Sequence, residues 1–149
     1  MDFATTLILV LLGILLEAFF SGSEIGMVSV NRIKMKQLAE DGNSAARSIL
    51  KLLENPERLF TTTSLGTNLA MVASTAIFTA FMVTHFGDSG EWMAMSIISP
   101  LIFFGGEIIP KVIFQHRADS LMLLMVYPLI FFSKVLSPFT SWLSKTSAK

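Results

Sequence analysis

The chain has 149 residues, of which 52% are hydrophobic and only 15% are charged. Its 11 basic and 11 acidic residues cancel, which excludes a basic nucleic-acid-binding protein and an acidic disordered tail. It has no cysteine, so a disulfide framework, thiolate metal sites and cysteine nucleophiles are excluded as well. The mean hydropathy of +0.65 instead indicates a single all-α domain embedded in a lipid bilayer.

The apolar residues fall into four blocks, and three of them are long enough to cross a bilayer. A bilayer core about 30 Å thick needs roughly 20 apolar residues in helical form, and its lack of water forces every backbone group to be bonded internally. We therefore predict three transmembrane helices, over residues of about 3–30, 59–86 and 91–114. The first block lacks a basic start and is too long for a secretory signal, so we expect a retained helix.

The segment between the first two blocks predicts a pair of short polar helices, over residues 31–55. Asp41-Gly42-Asn43 separates the two helices, because Gly and Asn favour turns. Asn55-Pro56 ends the second helix, since the residue before a proline avoids the helical conformation.

The fourth block, over residues of about 119–143, contains Lys134 and two prolines, Pro128 and Pro138. Because the prolines interrupt it, we predict a bent helix at the membrane interface, with Trp142 at headgroup level. A fourth complete span is the alternative that the sequence leaves open.

The positions of the basic residues predict the orientation. Six Lys and Arg side chains lie between blocks one and two, whereas the link 85–91 has none. Since cytoplasmic loops collect Lys and Arg, we expect the N-terminus outside, residues 31–58 inside and the C-terminus inside. The chain is thus predicted to be a multi-pass protein of the plasma membrane.

Several polar side chains interrupt the first apolar block. Glu17, Ser21 and Glu24 are spaced by four and three residues, which places them on one helix face, and Ser23 lies on a neighbouring face. A charged side chain in the bilayer centre costs about 2.5–3.5 kcal/mol on insertion scales, so these residues are candidates for function. The alternatives are serines bonded to their own backbone and a helix-packing motif; the roles of Glu17 and Glu24 stay open.

The most informative local pattern is the run Gly105–Lys111, with the sequence GGEIIPK. Pro110 has no N–H, so in an α-helix the carbonyl oxygen of Gly106 loses its partner, next to the carboxylate of Glu107. Broken helices that expose carbonyl groups at membrane depth recur at the ion sites of transporters. The alternative is a simple proline kink in which Glu107 pairs with Lys111 one turn later.

The candidate ligands share one chemistry, because all of them offer hard oxygen atoms. Such a set suits Mg²⁺, Ca²⁺ or Na⁺ and does not suit zinc or copper. No nucleophile–base pair or hydrolase motif accompanies them, so we expect no enzyme activity. The predicted metal ligands are the side chains of Ser21, Ser23, Asn68 and Glu107 and the backbone of Gly106.

Four pieces of the chain resemble the transmembrane domain of the CNNM/CorC family of Mg²⁺ transporters, and the resemblance covers essentially the whole chain. They are FSGSEI at 20–25, Asn31-Arg32 together with LLENP at 52–56, LGTN at 65–68 and GEIIPK at 106–111. The last piece is the most specific of the four.

The resemblance implies a homodimer with three membrane helices per subunit and juxtamembrane helices on the cytoplasmic side. It implies Mg²⁺ export, coupled to Na⁺ entry, by alternating access, with the ion at Ser21, Asn68, Glu107 and a backbone oxygen near Gly106. Family members continue into ATP-binding CBS domains, which are absent here, so we expect a transmembrane fragment of a longer protein. The alternative function is a module that senses Mg²⁺ or anchors a cytosolic domain without transporting the ion.

Overall fold

The computed structural model describes residues 1–147, which are almost entirely helical. One π-helical segment interrupts an otherwise continuous third apolar helix. The elements are α1 (Phe3–Ser29), α2 (Arg32–Glu40), α3 (Ser44–Leu53), α4 (Pro56–Phe86), α5 (Asp88–Leu101), the π segment (Ile102–Ile108), α6 (Ile109–His116), α7 (Ala118–Val135) and α8 (Ser137–Ser147).

Asparagine caps begin the three helices that follow α1. The side chains of Asn31, Asn43 and Asn55 each accept a hydrogen bond from the backbone N–H three residues later, at 3.0–3.2 Å. Each bond satisfies an N–H group that a helix start would otherwise leave without a partner. Gly42 makes the turn between α2 and α3 with φ of 95°, a conformation that glycine adopts without strain.

Four helical stretches are long and apolar enough to cross a membrane, which indicates a multi-pass membrane protein. They are Phe3–Ser29, Pro56–Phe86, Asp88–His116 and Ala118–Val135. The first three coincide with the three predicted transmembrane helices, and the second and third extend a few residues beyond the predicted bounds.

Small residues bring α1 and α4 into close contact along their length. A Cβ atom added at Gly13 would overlap the Ser74 hydroxyl of α4, and one added at Gly66 would lie 2.6 Å from the Phe20 ring of α1. The two backbones approach this closely because neither glycine has a side chain, as in other membrane helix pairs. The small residues of α4 therefore serve packing.

Two further glycines of α1, Gly22 and Gly26, pack against bulky side chains from the C-terminal third of the chain. A Cβ atom at Gly22 would overlap the ring of Phe114 in α6. One at Gly26 would lie 2.6 Å from the sulfur of Met122 in α7. Gly22 and Gly26 therefore allow α6 and α7 to pack closely against α1.

The short helices form an apolar core at one end of the bundle. α3 buries Ala45, Ala46, Ile49 and Leu53 on one side, and α7 packs against it through Met122, Val126 and Leu129. The opposite sides of both helices stay exposed. The apolar sides of α3 and α7 thus hold together the segment that follows α1 and the segment that follows α6.

The fourth apolar block forms two helices, α7 and α8, that are separated at Leu136. The expectation that both prolines interrupt the block was wrong for Pro128, which lies inside α7. Pro138 lies in the first turn of α8, where its missing N–H leaves no helical hydrogen bond unmade. Packing against α1 and α3 keeps α7 helical through Pro128, at the local cost of one backbone bond.

Candidate cation site

The π segment lies within the Gly-Gly-Glu-Ile-Ile-Pro run. Its backbone is wound one residue wider than an α-helix, and the N–H of Ile109 donates to the carbonyl oxygen of Phe104 five residues earlier. Pro110 has no N–H group to donate the next hydrogen bond. The carbonyl oxygen of Gly105 therefore lacks a partner in the π-helical pattern, whereas in an α-helix the carbonyl oxygen of Gly106 would lack one. The free carbonyl follows from the position of Pro110 in the sequence, whereas no sequence pattern indicated the π winding.

The carboxylate of Glu17 packs directly against the backbone of Gly106. A Cβ atom added at Gly106 would lie 2.6 Å from Cδ and Oε2 of Glu17 and 2.9 Å from Oε1. The Glu17 side chain is only 1% exposed, and Oε2 has no hydrogen-bond partner within the described residues. A buried carboxylate oxygen without a partner is costly, so this arrangement favours an additional group that supplies positive charge.

Three hydroxyl groups share this lack of a partner. Oγ of Ser21, Oγ of Ser23 and Oγ1 of Thr67 are buried and make no hydrogen bond to any residue in 1–147. Elsewhere in the bundle a buried hydroxyl bonds back to its own helix, as Ser74 does to the carbonyl of Ala70 at 2.8 Å. The back-bonding alternative for Ser21 and Ser23 is therefore absent from the structure, and their oxygen lone pairs are free.

Glu24 makes a different contact from Glu17. The hydroxyl of Thr63 donates to Oε2 of Glu24 at 3.1 Å, which joins α1 to α4 one helical turn beyond Ser21. The same hydroxyl lies within hydrogen-bonding distance of the carbonyl oxygens of Leu59 and Phe60. Glu24 is thus a partnered, half-buried residue, whereas Glu17 has an oxygen to spare.

Glu107 and Asn68 lie on the outer side of the same region. Nζ of Lys111 donates to Oε1 of Glu107 at 3.2 Å, and the Glu107 side chain is 45% exposed. Glu107 also lines an open cavity of about 580 Å³ with Met71 and Thr75 of α4. Asn68 is exposed and lies three residues before Met71, on the same face of α4.

The five predicted ligands therefore differ in burial. Ser21, Ser23 and Gly106 are buried, whereas Asn68 is exposed and the Glu107 side chain is partly exposed. Their joint action on one ion stays a prediction. Glu17 and Thr67, which the predicted set omitted, also carry buried oxygen atoms without partners. The signal for Glu17 was a carboxylate four residues before Ser21 inside an apolar helix.

The backbone of Gly106 links the two carboxylates. Glu17 packs against Gly106, and Glu107 follows Gly106 directly in the chain. Within residues 1–147 no three His, Asp or Glu side chains gather into a metal cage. At most two carboxylates therefore lie beside Gly106, and carboxylate oxygens are donors for a hard cation.

Comparison with known proteins agrees with this architecture. Residues 7–149 match the Cyclin M transmembrane N-terminal domain. The chain is 30% identical over 146 residues to a UPF0053 protein of Haemophilus influenzae, which covers 98% of this chain and 34% of that protein. It is 34% identical over 98 residues to the UPF0053 inner membrane protein YfjD of Escherichia coli, covering 66% of this chain and 23% of that protein.

A plant relative extends the comparison. A chloroplastic DUF21 domain-containing protein of Arabidopsis thaliana is 31% identical over 130 residues, which are 87% of this chain and 19% of that protein. The chain therefore spans about a third or less of the length of these relatives. The helical bundle and its buried oxygen donors define a multi-pass membrane domain. The chain belongs to the CNNM/CorC family, as the four sequence pieces indicated.

Proposed function

We propose that this domain transports Mg²⁺ out of the cell, in exchange for Na⁺. The observation that supports the proposal is a set of buried oxygen atoms without partners, on Glu17, Ser21, Ser23 and Thr67, with the Glu17 carboxylate packed against Gly106 of the π segment. Carboxylate and hydroxyl oxygens are ligands for Mg²⁺ and Na⁺. Family membership supports the same function.

Reversible binding is what a transporter needs, and the donor set suits it. Mg²⁺ gives up its water ligands reluctantly. A site with few charged ligands therefore holds the ion without trapping it. In the proposed cycle Ser21, Ser23, Asn68, Glu107 and a backbone oxygen near Gly106 hold the ion, with Glu17 as an additional ligand. The π winding and the Gly105–Gly106 pair supply the local freedom that alternating access requires.

The proposed topology has three membrane spans in each subunit of a homodimer in the plasma membrane. The N-terminus lies outside, α2 and α3 lie on the cytoplasmic side, and α7 with α8 lies at the interface instead of forming a fourth span. α7 is long enough to span, but its packing against the polar helix α3 favours the interface. No enzymatic step is proposed.

The test is equilibrium Mg²⁺ binding to the purified protein in detergent. Glu107→Gln and Glu17→Gln each remove one charge without changing side-chain size, and Glu91→Gln is the matched control on the exposed first turn of α5. We expect each site variant to weaken Mg²⁺ binding by at least about 10-fold, the lower range for disturbing a metal site, and the control to bind as the parent does. Binding that is unchanged in both site variants would refute the site.

Ion flux then separates transport from the alternative of a sensing or anchoring module. The protein is reconstituted into liposomes that enclose a Mg²⁺-sensitive dye. We expect it to move Mg²⁺ when a Na⁺ gradient is applied. Saturable binding together with an absence of flux, under both directions of the gradient, would reject transport by this domain while retaining the cation site.

A further inference from the structure

A second cavity, of about 620 Å³, lies between α3, the start of α4 and α7, away from the cation site. Three basic side chains from these three helices line it: Lys51 of α3, Arg58 of α4 and Lys134 of α7. The described part of its wall carries one carboxylate, that of Glu54. Like charges that converge on one cavity repel each other, so the cavity favours an anion.

None of these three basic side chains forms an ion pair with a described residue. The two ion pairs within residues 1–147 are Lys34–Asp119 and Lys111–Glu107, and neither involves the cavity. Nη2 of Arg58 donates to the hydroxyl of Ser137 at 3.2 Å, which orients the guanidinium without cancelling its charge.

A hydroxyl group adds a directional donor to this charge. Ser133 lines the same cavity, and no hydrogen bond joins its hydroxyl to a described residue. The hydroxyl is therefore available to a ligand that enters the cavity. A cationic cavity with a free hydroxyl has the chemistry of a phosphate site, because charge-assisted hydrogen bonds to phosphate are strong.

We propose that this cavity binds the phosphate group of an anionic phospholipid, held by Lys51, Arg58, Lys134 and Ser133. Soluble ions and lipid headgroups both carry such a phosphate group, and the surface of α7 favours the lipid. Leu124, Tyr127, Phe131 and Val135 form an exposed apolar strip along this helix, and Tyr127 also borders the cavity. Acyl chains would cover the strip while the headgroup enters the cavity.

The apolar part of the cavity wall supports the same occupant. Leu52, Leu59 and Ile130 contribute to the wall beside the basic groups. Basic pockets between membrane helices, at the level of the headgroups, are a known form of anionic-lipid recognition. The proposal does not depend on the Mg²⁺ site, because none of these residues belongs to it.

The experiment measures lipid binding to the purified chain in detergent by native mass spectrometry. Phosphatidylglycerol and phosphatidylcholine of identical acyl chains are titrated separately, and we expect saturable binding of phosphatidylglycerol alone. Lys134→Gln should weaken it about fivefold and the Lys51→Gln/Lys134→Gln pair about thirtyfold, since each basic group contributes at a membrane surface. Ser133→Ala should weaken it about tenfold without changing the charge, because a hydrogen bond to a charged group is lost.

Lys36→Gln is the matched control, because Lys36 is an exposed lysine of α2 that does not line the cavity. It should bind phosphatidylglycerol as the parent does. An equal loss in Lys36→Gln and Lys134→Gln, together with no effect of Ser133→Ala, would overturn the proposal in favour of diffuse charge attraction.

Soluble phosphate separates the two sources of the ligand. We expect inorganic phosphate and glycerol phosphate to compete with the lipid only weakly, because neither covers the apolar strip. Tight binding of inorganic phosphate without selective binding of phosphatidylglycerol would overturn the lipid assignment. Mg²⁺ binding is measured on the same variants and should be unchanged, so failure of either proposal is visible by itself.

Discussion

Replacing Gly106 by alanine tests the contact between Glu17 and the π segment. The added methyl group would lie 2.6 Å from Cδ and Oε2 of Glu17, whereas carbon atoms in favourable contact are about 3.5–4.0 Å apart. The carboxylate or the backbone must therefore move by about 1 Å. Overpacking of this kind costs about 1–3 kcal/mol, and the better helix propensity of alanine returns up to about 1 kcal/mol.

Gly105→Ala provides the matched control in the same π segment. Its added Cβ atom would meet only Cγ2 of Ile14, at 3.7 Å, which is an ordinary contact. Gly105→Ala should therefore keep or slightly raise the stability of the protein. We expect Gly106→Ala to unfold at a lower temperature than Gly105→Ala, with a difference of about 2–4 °C for each kcal/mol in a chain of this size.

The assay is thermal unfolding in detergent, combined with a Mg²⁺ titration of the same samples. A double-mutant cycle with Glu17→Ala identifies the cause, because the penalty of the Gly106 methyl group should largely disappear once the carboxylate is removed. Equal unfolding temperatures for Gly105→Ala and Gly106→Ala would refute the reasoning. A penalty that persists in full in the Glu17→Ala background would assign it to the backbone instead.

Three further predictions concern packing, charge and backbone conformation. Gly22→Leu should destabilise the protein by about 1–3 kcal/mol in thermal unfolding, because the Phe114 ring occupies the space; a neutral effect would contradict the close packing of α1 and α6. Lys111→Gln should strengthen Mg²⁺ binding several-fold in a titration, because its ammonium competes for Glu107; weaker binding would contradict this. Gly42→Ala should cost about 1 kcal/mol because φ is 95°, and Gly42→Asn should cost less; equal losses would exclude the conformational cause.

The three main apolar helices could be predicted from the sequence because the bilayer imposes a length and a composition on any segment that crosses it. The helix boundaries at Gly42 and Pro56 could also be predicted, because turn residues and proline act on the backbone within a few residues. The continuous helix through Pro128 could not be predicted in this way. There, packing of α7 against α1 and α3 outweighed the loss of one backbone hydrogen bond.

The same distinction applies to the candidate site. Sequence alone determined that carboxylates and hydroxyls lie inside apolar helices and that Pro110 removes a backbone donor, because both facts follow from residue type and spacing. Only the tertiary structure decided which oxygens lack partners and where each one faces. Glu17 rests against Gly106 because two helices cross there, whereas Glu107 turns outward to Lys111. Such choices depend on contacts between residues far apart in the chain, which no local pattern contains.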